Sequence, residues 1–256
     1  MKIIVQDLPG SERCEDLSDT VVVIPAYNEE RRVAETIQTA LRAGAGRVVC
    51  VNDGSRDRTR EILDECGRDP RVDVIHHEVN QGKQAAVKHG LLRALEYPGM
   101  RRFATPDADM QQSPAELPRL VAPVGEWDVV ISLRGRGDMP PARRLANSLA
   151  NLPYRLIAGV PIRDVQAGFR VYTRDVAEYI AHNLRAEGGY TLEHTTMLLF
   201  AELAVKWGRP FRIAEIAVPY TYQGARSSIR IRDNLQLTRA SIGCAWRVAR
   251  TLRRRP

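Results

Sequence analysis

The chain is poor in several things that would each have settled its class. Cysteine occurs four times in 256 residues, at 14, 50, 66 and 244, with no CxxC spacing and no disulfide density. These thiols suit a reducing, cytoplasmic compartment and carry no information about metal. No uncharged stretch approaches the ~18 residues a membrane-crossing helix needs. The opening MKIIVQDLPGSERCEDLSD has a short apolar run and acquires acids at once, so it does not read as a secretory leader. No internal repeat or low-complexity segment is present. With 44% hydrophobic and 27% charged residues, the composition is that of a globular protein, and the length allows a sizeable core.

Positive charge is abundant but local. The chain carries a net +7, while residues 226–256 hold nine arginines against one acid, Asp233. That segment is therefore +8 and the remaining 225 residues are nearly neutral. A general nucleic-acid binder would spread its basic surface over the body, which this chain does not. In 229–252 the residues Ile229, Ile231, Leu235, Leu237, Ile242, Trp246, Val248 and Leu252 interleave with arginines. That pattern fits an interfacial helix drawn to anionic lipid, or a terminal helix packed on the domain with solvated arginines.

Between residues 20 and 133, short β-branched runs alternate with helical stripes. Strands are expected at 20–24, 47–51, 72–75, 103–104 and 128–132, with helices over 30–43, 57–66 and 83–95. Such alternation predicts an α/β, Rossmann-like, mostly parallel doubly wound sheet with ligands at the carboxyl ends of its strands. Beyond residue 140, helices are expected over 142–158, 175–184, 192–207 and 229–252, and a late strand over 211–218. The division expected is an N-terminal extension (1–19), a main domain (20–225) and the arginine-rich tail (226–256).

Chemistry concentrates after the strands. Asp107-Ala-Asp109-Met-Gln111 follows the fourth strand, and on extended backbone residues two apart share a side, so two carboxylates and an amide converge. Hard oxygen donors suit Mg²⁺ or Mn²⁺, which bridge to phosphate oxygens. The plain alternative is an acidic turn leading into Pro114 and a helix. Asp53, in Asn52-Asp53-Gly54-Ser55, could accept hydrogen bonds from a base or ribose, or could cap its own turn. Gly82-Lys83 could bring backbone and positive charge to a ligand, or could simply start a helix. His76-His77 point to opposite faces of a strand and are a poor metal pair.

Taken together, Pro25-Ala26-Tyr27-Asn28-Glu29, Asp53-Gly54-Ser55, Asn80-x-Gly82-Lys83 and Asp107-x-Asp109-x-Gln111-x-x-Pro114 resemble glycosyltransferase family 2 in order and spacing. These are inverting nucleotide-sugar transferases with an A-type fold. The stretches DVVISLRGRG (128–137), RRLANSLAN (143–151), DVQAGFRVY (164–172) and YQGARSSI (222–229) resemble dolichyl- and polyprenyl-phosphate sugar synthases, although Ser227-Ser228 lacks that group's following lysine and Asn147 stands where serine is common. The resemblance implies a metal site at Asp107, Asp109 and Gln111. It implies nucleotide contacts from Pro25, Ala26, Tyr27, Asn28, Glu29, Asp53, Gly82, Lys83 and Asp107. Arg134, Arg144, Arg170, Arg226 and Ser228 would face the acceptor or its phosphate, and Asp109, Asp164 and Glu193 would be catalytic. A donor of the GDP-mannose or UDP-glucose type and a polyprenyl phosphate acceptor follow, at the cytoplasmic membrane face. An anionic acceptor needs cations, whereas a hydroxyl acceptor needs a base such as Asp164 or Glu193. Two rivals remain: a same-fold transferase acting on a soluble hydroxyl, and a non-catalytic basic module binding nucleic acid or membrane.

Overall fold

The computed structural model describes residues 1–10, 16–134, 141–185, 191–221 and 231–253. Val21, Val22, Val23 and Ile24 are all fully buried, as an unbroken β-branched run in a parallel sheet covered on both faces should be. This strand, β2 (Thr20–Ala26), is followed by α1 (Val33–Arg42), β3 (Arg47–Asp53), α2 (Thr59–Cys66), β4 (Val72–His77), α3 (Lys83–Leu95) and β5 (Arg102–Thr105). The expected boundaries hold to within a few residues. Later come the short α4 (Leu117–Val121), β6 (Val129–Arg134), α5 (Pro141–Leu156), β7 (Arg170–Thr173), α6 (Arg174–Asn183), α7 (Leu192–Lys206), β8 (Phe211–Val218) and α8 (Ile231–Arg253).

The eight strands form one sheet in the order β1-β8-β6-β7-β5-β2-β3-β4. All neighbours run parallel except β7, which lies antiparallel between β5 and β6. The chain moves outward from β2 to β3 and β4, then returns across α3 to β5 on the other side of β2. That reversal is a topological switch point, where the loops at the carboxyl ends diverge and leave a crevice. Alternation along β2 divides the core. Val22 and Ile24 pack with Val33 and Ile37 of α1 and Leu63 of α2, while Val21 and Val23 pack with Val87 and Leu91 of α3 and the layer of α6, α7 and α8. Each such fully buried aliphatic side chain contributes about 1.5–3 kcal/mol. Gly90 permits the close approach of α3, since a Cβ there would stand 2.4 Å from Val23 Cγ1.

Both chain ends enter this architecture. β1 (Ile3–Leu8), which the alternation did not anticipate, pairs in parallel with β8, and Asp7 is register partner to Glu215. Cys244, Ala245, Val248 and Leu252 of α8 join the core, and the Met1 ammonium donates to the Leu252 carbonyl at 2.8 Å. β7 was also unanticipated, because only four residues of the stretch 164–172 and its continuation form the strand.

Candidate active site

A cavity of about 420 Å³ opens at the switch point, over the carboxyl ends of β2, β3 and β5. Its lining includes Pro25, Ala26, Tyr27, Glu29, Asp53, Gly82, Lys83, Asp107 and Asp109, nine of the residues expected to contact nucleotide or metal, together with Asn80, Ala86 and Ala108. The parallel sheet explains this convergence: each motif begins where a strand ends, and neighbouring strands end at the same edge.

The turns are tied to one another. Asn28 adopts φ +57°, its backbone N–H donates to Ser55 Oγ at 3.0 Å, and its Oδ1 accepts from Arg56 N at 2.9 Å. The Glu29 amide donates to Thr59 Oγ1 at 2.9 Å. Asn28 thus fastens the turn after β2 to the turn after β3 instead of lining the cavity. Asp53 is almost fully buried; its Oδ1 accepts from the Gln81 amide and its Oδ2 from the Gly82 amide, both at 2.8 Å. Asp53 lines the cavity and organises the turn at the α3 N-terminus; its own turn is closed instead by Asn52, whose Oδ1 accepts from the Ser55 amide at 3.1 Å.

The acidic corner is strongly charged. Lys83 Nζ lies 2.6 Å from Asp107 Oδ1 and 3.0 Å from Glu193 Oε1. Burial works against the ammonium, but the two carboxylates outweigh it and hold Lys83 above its ordinary range. Glu193 is pushed up by burial and pulled down further by Lys83 and then Arg170, reaching about 2. Burial, and then Asp107, push Asp109 upward. Burial, followed by Asp109 and Asp107, raises Glu29 to about 7. Accumulated carboxylates that resist ionising together are a donor set for a hard divalent cation. Asp107 and Asp109 fit that role; among the described residues no cluster of three His, Cys, Asp or Glu completes a cage, so the remaining ligands would be phosphate oxygens and water.

Gln111 is engaged elsewhere. Its N–H donates to Asp109 Oδ1 at 3.0 Å, its carbonyl accepts from Thr221 N, and its side-chain oxygen accepts from the Tyr220 hydroxyl. The expected acceptor-side residues are also largely committed. Arg134 forms a two-pronged pair with Asp164 at 2.6 and 2.7 Å, and Asp164 is 1% exposed. Arg170 is buried and donates to Ala167 O, Val165 O and Thr196 Oγ1, which makes it a brace between the 165–170 turn and α7. Arg144 is exposed on the first turns of α5. Arg226 and Ser228 lie outside the described residues.

Three contributors escaped sequence reasoning. Gly168 abuts the acidic corner, where a Cβ would stand 2.4 Å from Asp107 Oδ2. Tyr220 closes on Gln111 and lies under the Arg134 guanidinium, 5.7 Å from it. His77 stands behind Asp53 at 2.8 Å. Gly168 sits in a stretch noted for resemblance and Tyr220 just before one, but neither type signals a site by itself; for His77, the one available signal was its place at the end of a strand.

The fold and the cavity define a transferase of the A-type glycosyltransferase class. The family model for glycosyl transferase family 2 matches residues 21–180, and the chain belongs to that family. It is 31% identical over 207 residues to uncharacterized protein MJ1222 of Methanocaldococcus jannaschii, covering 78% of this chain and 81% of that protein. It is 31% identical over 176 residues to an undecaprenyl-phosphate 4-deoxy-4-formamido-L-arabinose transferase of Pectobacterium carotovorum, covering 66% of this chain and only 53% of the relative. The chain thus spans about half the length of that curated transferase. Among solved structures, glucosyl-3-phosphoglycerate synthase of Mycobacterium tuberculosis, crystallised with Mn²⁺, UDP and phosphoglyceric acid, superposes with a TM-score of 0.65 at 18% identity, covering 95% of this chain and 86% of that one. That likeness is one of fold.

Proposed function

We propose that the chain moves a sugar, with inversion, from a nucleotide-diphosphate sugar to a polyprenyl phosphate at an anionic membrane surface. The observation that carries this reading is the cavity in which Lys83, Asp107 and Asp109 meet the turns after β2 and β3. In it, Pro25, Ala26 and the exposed ring of Tyr27 would receive the nucleoside, with Asp53 and Glu29 accepting its polar hydrogens. Asp107 and Asp109 would hold Mg²⁺ or Mn²⁺, which when bound offsets charge on the departing diphosphate. Lys83, kept protonated by its two carboxylates, adds a fixed positive charge at the same corner.

The acceptor half rests on two supports. Of the two carboxylates expected as bases, Asp164 is held by Arg134, and Glu193 is held by Lys83 and pulled down to about 2, which makes Glu193 a weak base. An acceptor that is already anionic needs none. The second support is a surface. On α5, Leu145, Leu149, Leu152 and Leu156 form an exposed stripe at helical spacing with Arg144 and Arg155 beside it, and the helix carries no acid. On α8, Arg239, Ile242, Trp246, Arg250 and Arg253 make a second exposed stripe. Apolar side chains flanked by arginines are the pattern of an interfacial helix. No described helix is long and apolar enough to cross a membrane. On this reading residues 20–225 carry out transfer, 226–256 serve the membrane, and Arg144, Arg226 and Ser228 meet the lipid phosphate.

The altered Ser227-Ser228 ending keeps one second reading open, transfer to a hydroxyl of a soluble acceptor. The experiment offers the purified protein UDP-glucose or GDP-mannose with Mn²⁺, and either undecaprenyl phosphate in anionic vesicles or soluble phosphoglyceric acid. Product on the lipid alone is expected. Product on the soluble acid alone overturns the lipid assignment.

A further inference from the structure

Behind the cavity, Asp53 is backed by two histidines that the transfer reading does not use. Asp53 ends β3 and His77 ends β4, and the two are register partners across the parallel ladder. His77 Nδ1 lies 2.8 Å from Asp53 Oδ1, and His77 Nε2 lies 2.8 Å from Nδ1 of His89 on α3, the rings meeting edge-on at 85°. Asp53 and His77 are both nearly inaccessible to water.

The proton positions follow from chemistry. An ionised carboxylate only accepts, so His77 Nδ1 carries the hydrogen. At the second contact one hydrogen is shared between His77 Nε2 and His89 Nδ1. The charges facing His89 are the Asp53 carboxylate from β3, His77 from β4 and Lys88 from its own helix. Burial, then His77 and Lys88, hold His89 below the usual histidine range against the pull of Asp53.

Asp53 in turn holds the ligand-facing turn. Its two oxygens take the amides of Gln81 and Gly82, and its backbone carbonyl accepts from Asn80 Nδ2 at 3.2 Å. Gly82, at φ +90°, hands the chain to Lys83, which reaches the acidic corner. Gly54 secures the other side, because a Cβ there would lie 2.5 Å from Asn80 N.

We propose that His77 and His89 are positioning residues for nucleotide-diphosphate binding: through Asp53 they fix the Asn80–Lys83 turn and so place Lys83. The proposal rests on reading the cavity as a donor site. It differs from ordinary core packing in predicting that hydrogen-bond chemistry, not ring volume, matters at both positions. An asparagine amide can stand in for the Nδ1–H of histidine, whereas leucine fills space and donates nothing.

The test compares His77→Leu, His77→Asn, His89→Ala and His89→Asn by titration with UDP and GDP in Mn²⁺, by steady-state kinetics, and by amide hydrogen exchange at Gln81 and Gly82. His77→Leu should weaken nucleotide binding about tenfold, with KM for the donor rising and kcat at saturation changing less. His77→Asn should recover most of that loss, and His89→Ala should show a smaller loss of about threefold that His89→Asn restores. Gln81 and Gly82 should exchange faster in His77→Leu while the global melting temperature of His77→Asn and the His89 variants stays near that of the parent. Equal affinities and unchanged exchange in a folded His77→Leu would overturn the proposal. If the parent protein bound neither nucleotide, the donor-site reading would fail, and the exchange experiment would still decide whether the relay holds the turn.

Discussion

The two halves of the sheet treat their motif residues differently. At the carboxyl ends of β2, β3 and β5, most residues chosen by pattern converge on one cavity. Around β6, β7 and the 163–170 turn, the residues chosen for charge turn toward one another: Arg134 onto Asp164, Arg170 onto the carbonyls of Val165 and Ala167. In the first half a short side chain sits directly after a strand, so backbone topology sets where its functional group goes. In the second half a long arginine can satisfy an internal partner as readily as a ligand, and burial selects the partner. Position after a parallel strand is thus a better guide than charge type to which residues line the cavity.

This contrast can be broken from either side. The largest effect is expected at the acidic corner. Asp109→Asn should lower transfer about a thousandfold while leaving the melting temperature unchanged or slightly raised, since burial and Asp107 already disfavour its ionised form. Full activity in that variant would remove the corner from the mechanism. Next comes Gly168→Ala, whose methyl group must displace the Asp107 carboxylate. A loss of about tenfold to a hundredfold in kcat/KM is expected, with an intact circular dichroism spectrum.

Arg170→Met addresses the other half. It should cost about 3 kcal/mol in denaturant unfolding, because three buried acceptors lose their donor, while the folded fraction binds nucleotide with the parent's affinity. If stability held and only acceptor use suffered, the distinction between the halves would collapse.

Two buried groups give the most graded effect, spread over a pH window. His194 lies in the core between Tyr154 and Ser241, and burial lowers it to about 4. The unfolded chain therefore binds more protons than the native one between about pH 4 and 6.5, and stability is lost as pH falls through that window. Glu215, buried beneath the amides of Arg163 and Asp164, is raised by burial to about 7. Here the native state holds the extra proton, so stability is lost as pH rises from about 4.5 to 7. Near pH 5.5 the contributions of His194 and Glu215 oppose and offset one another. His194→Gln should remove the acid-side decline and Glu215→Gln the other, each changing the span of the curve by about 3 kcal/mol across its window. Unchanged curves would show that these groups titrate alike in the folded and unfolded chain.

Much of this was legible beforehand, for identifiable reasons. Val21–Ile24 and Arg47–Val51 are continuous β-branched runs, and α3 begins and ends where its glycine and apolar stripe indicate. β7 was not legible because a four-residue antiparallel strand leaves no alternation to detect, and β1 because its pairing with β8 spans the whole chain. At the site, Asp107 and Asp109 were expected together on extended backbone, but they lie in a turn in which Met110 has φ +59° and the Gln111 amide donates to Asp109 Oδ1; that Lys83 joins Asp107 to Glu193 could not be read from spacing. That Asn28 fastens two turns, that Gln111 serves Tyr220, and that Arg170 is a brace could not either, since each depends on partners distant in sequence. One side of α8 enters the core, and an exposed stripe of arginine, Ile242 and Trp246 lies on the other.

The most direct measurement is thermal stabilisation of the parent protein and of Asp109→Asn by UDP, GDP, CDP and dTDP, each with and without Mn²⁺. A ligand at a hundred times its dissociation constant adds about 2.7 kcal/mol to the native state. The cavity geometry predicts a metal-dependent shift with one or more of these nucleotides in the parent protein and its loss in Asp109→Asn. A shift of the same size in both proteins, or none with any nucleotide, would contradict a donor site built on the acidic corner.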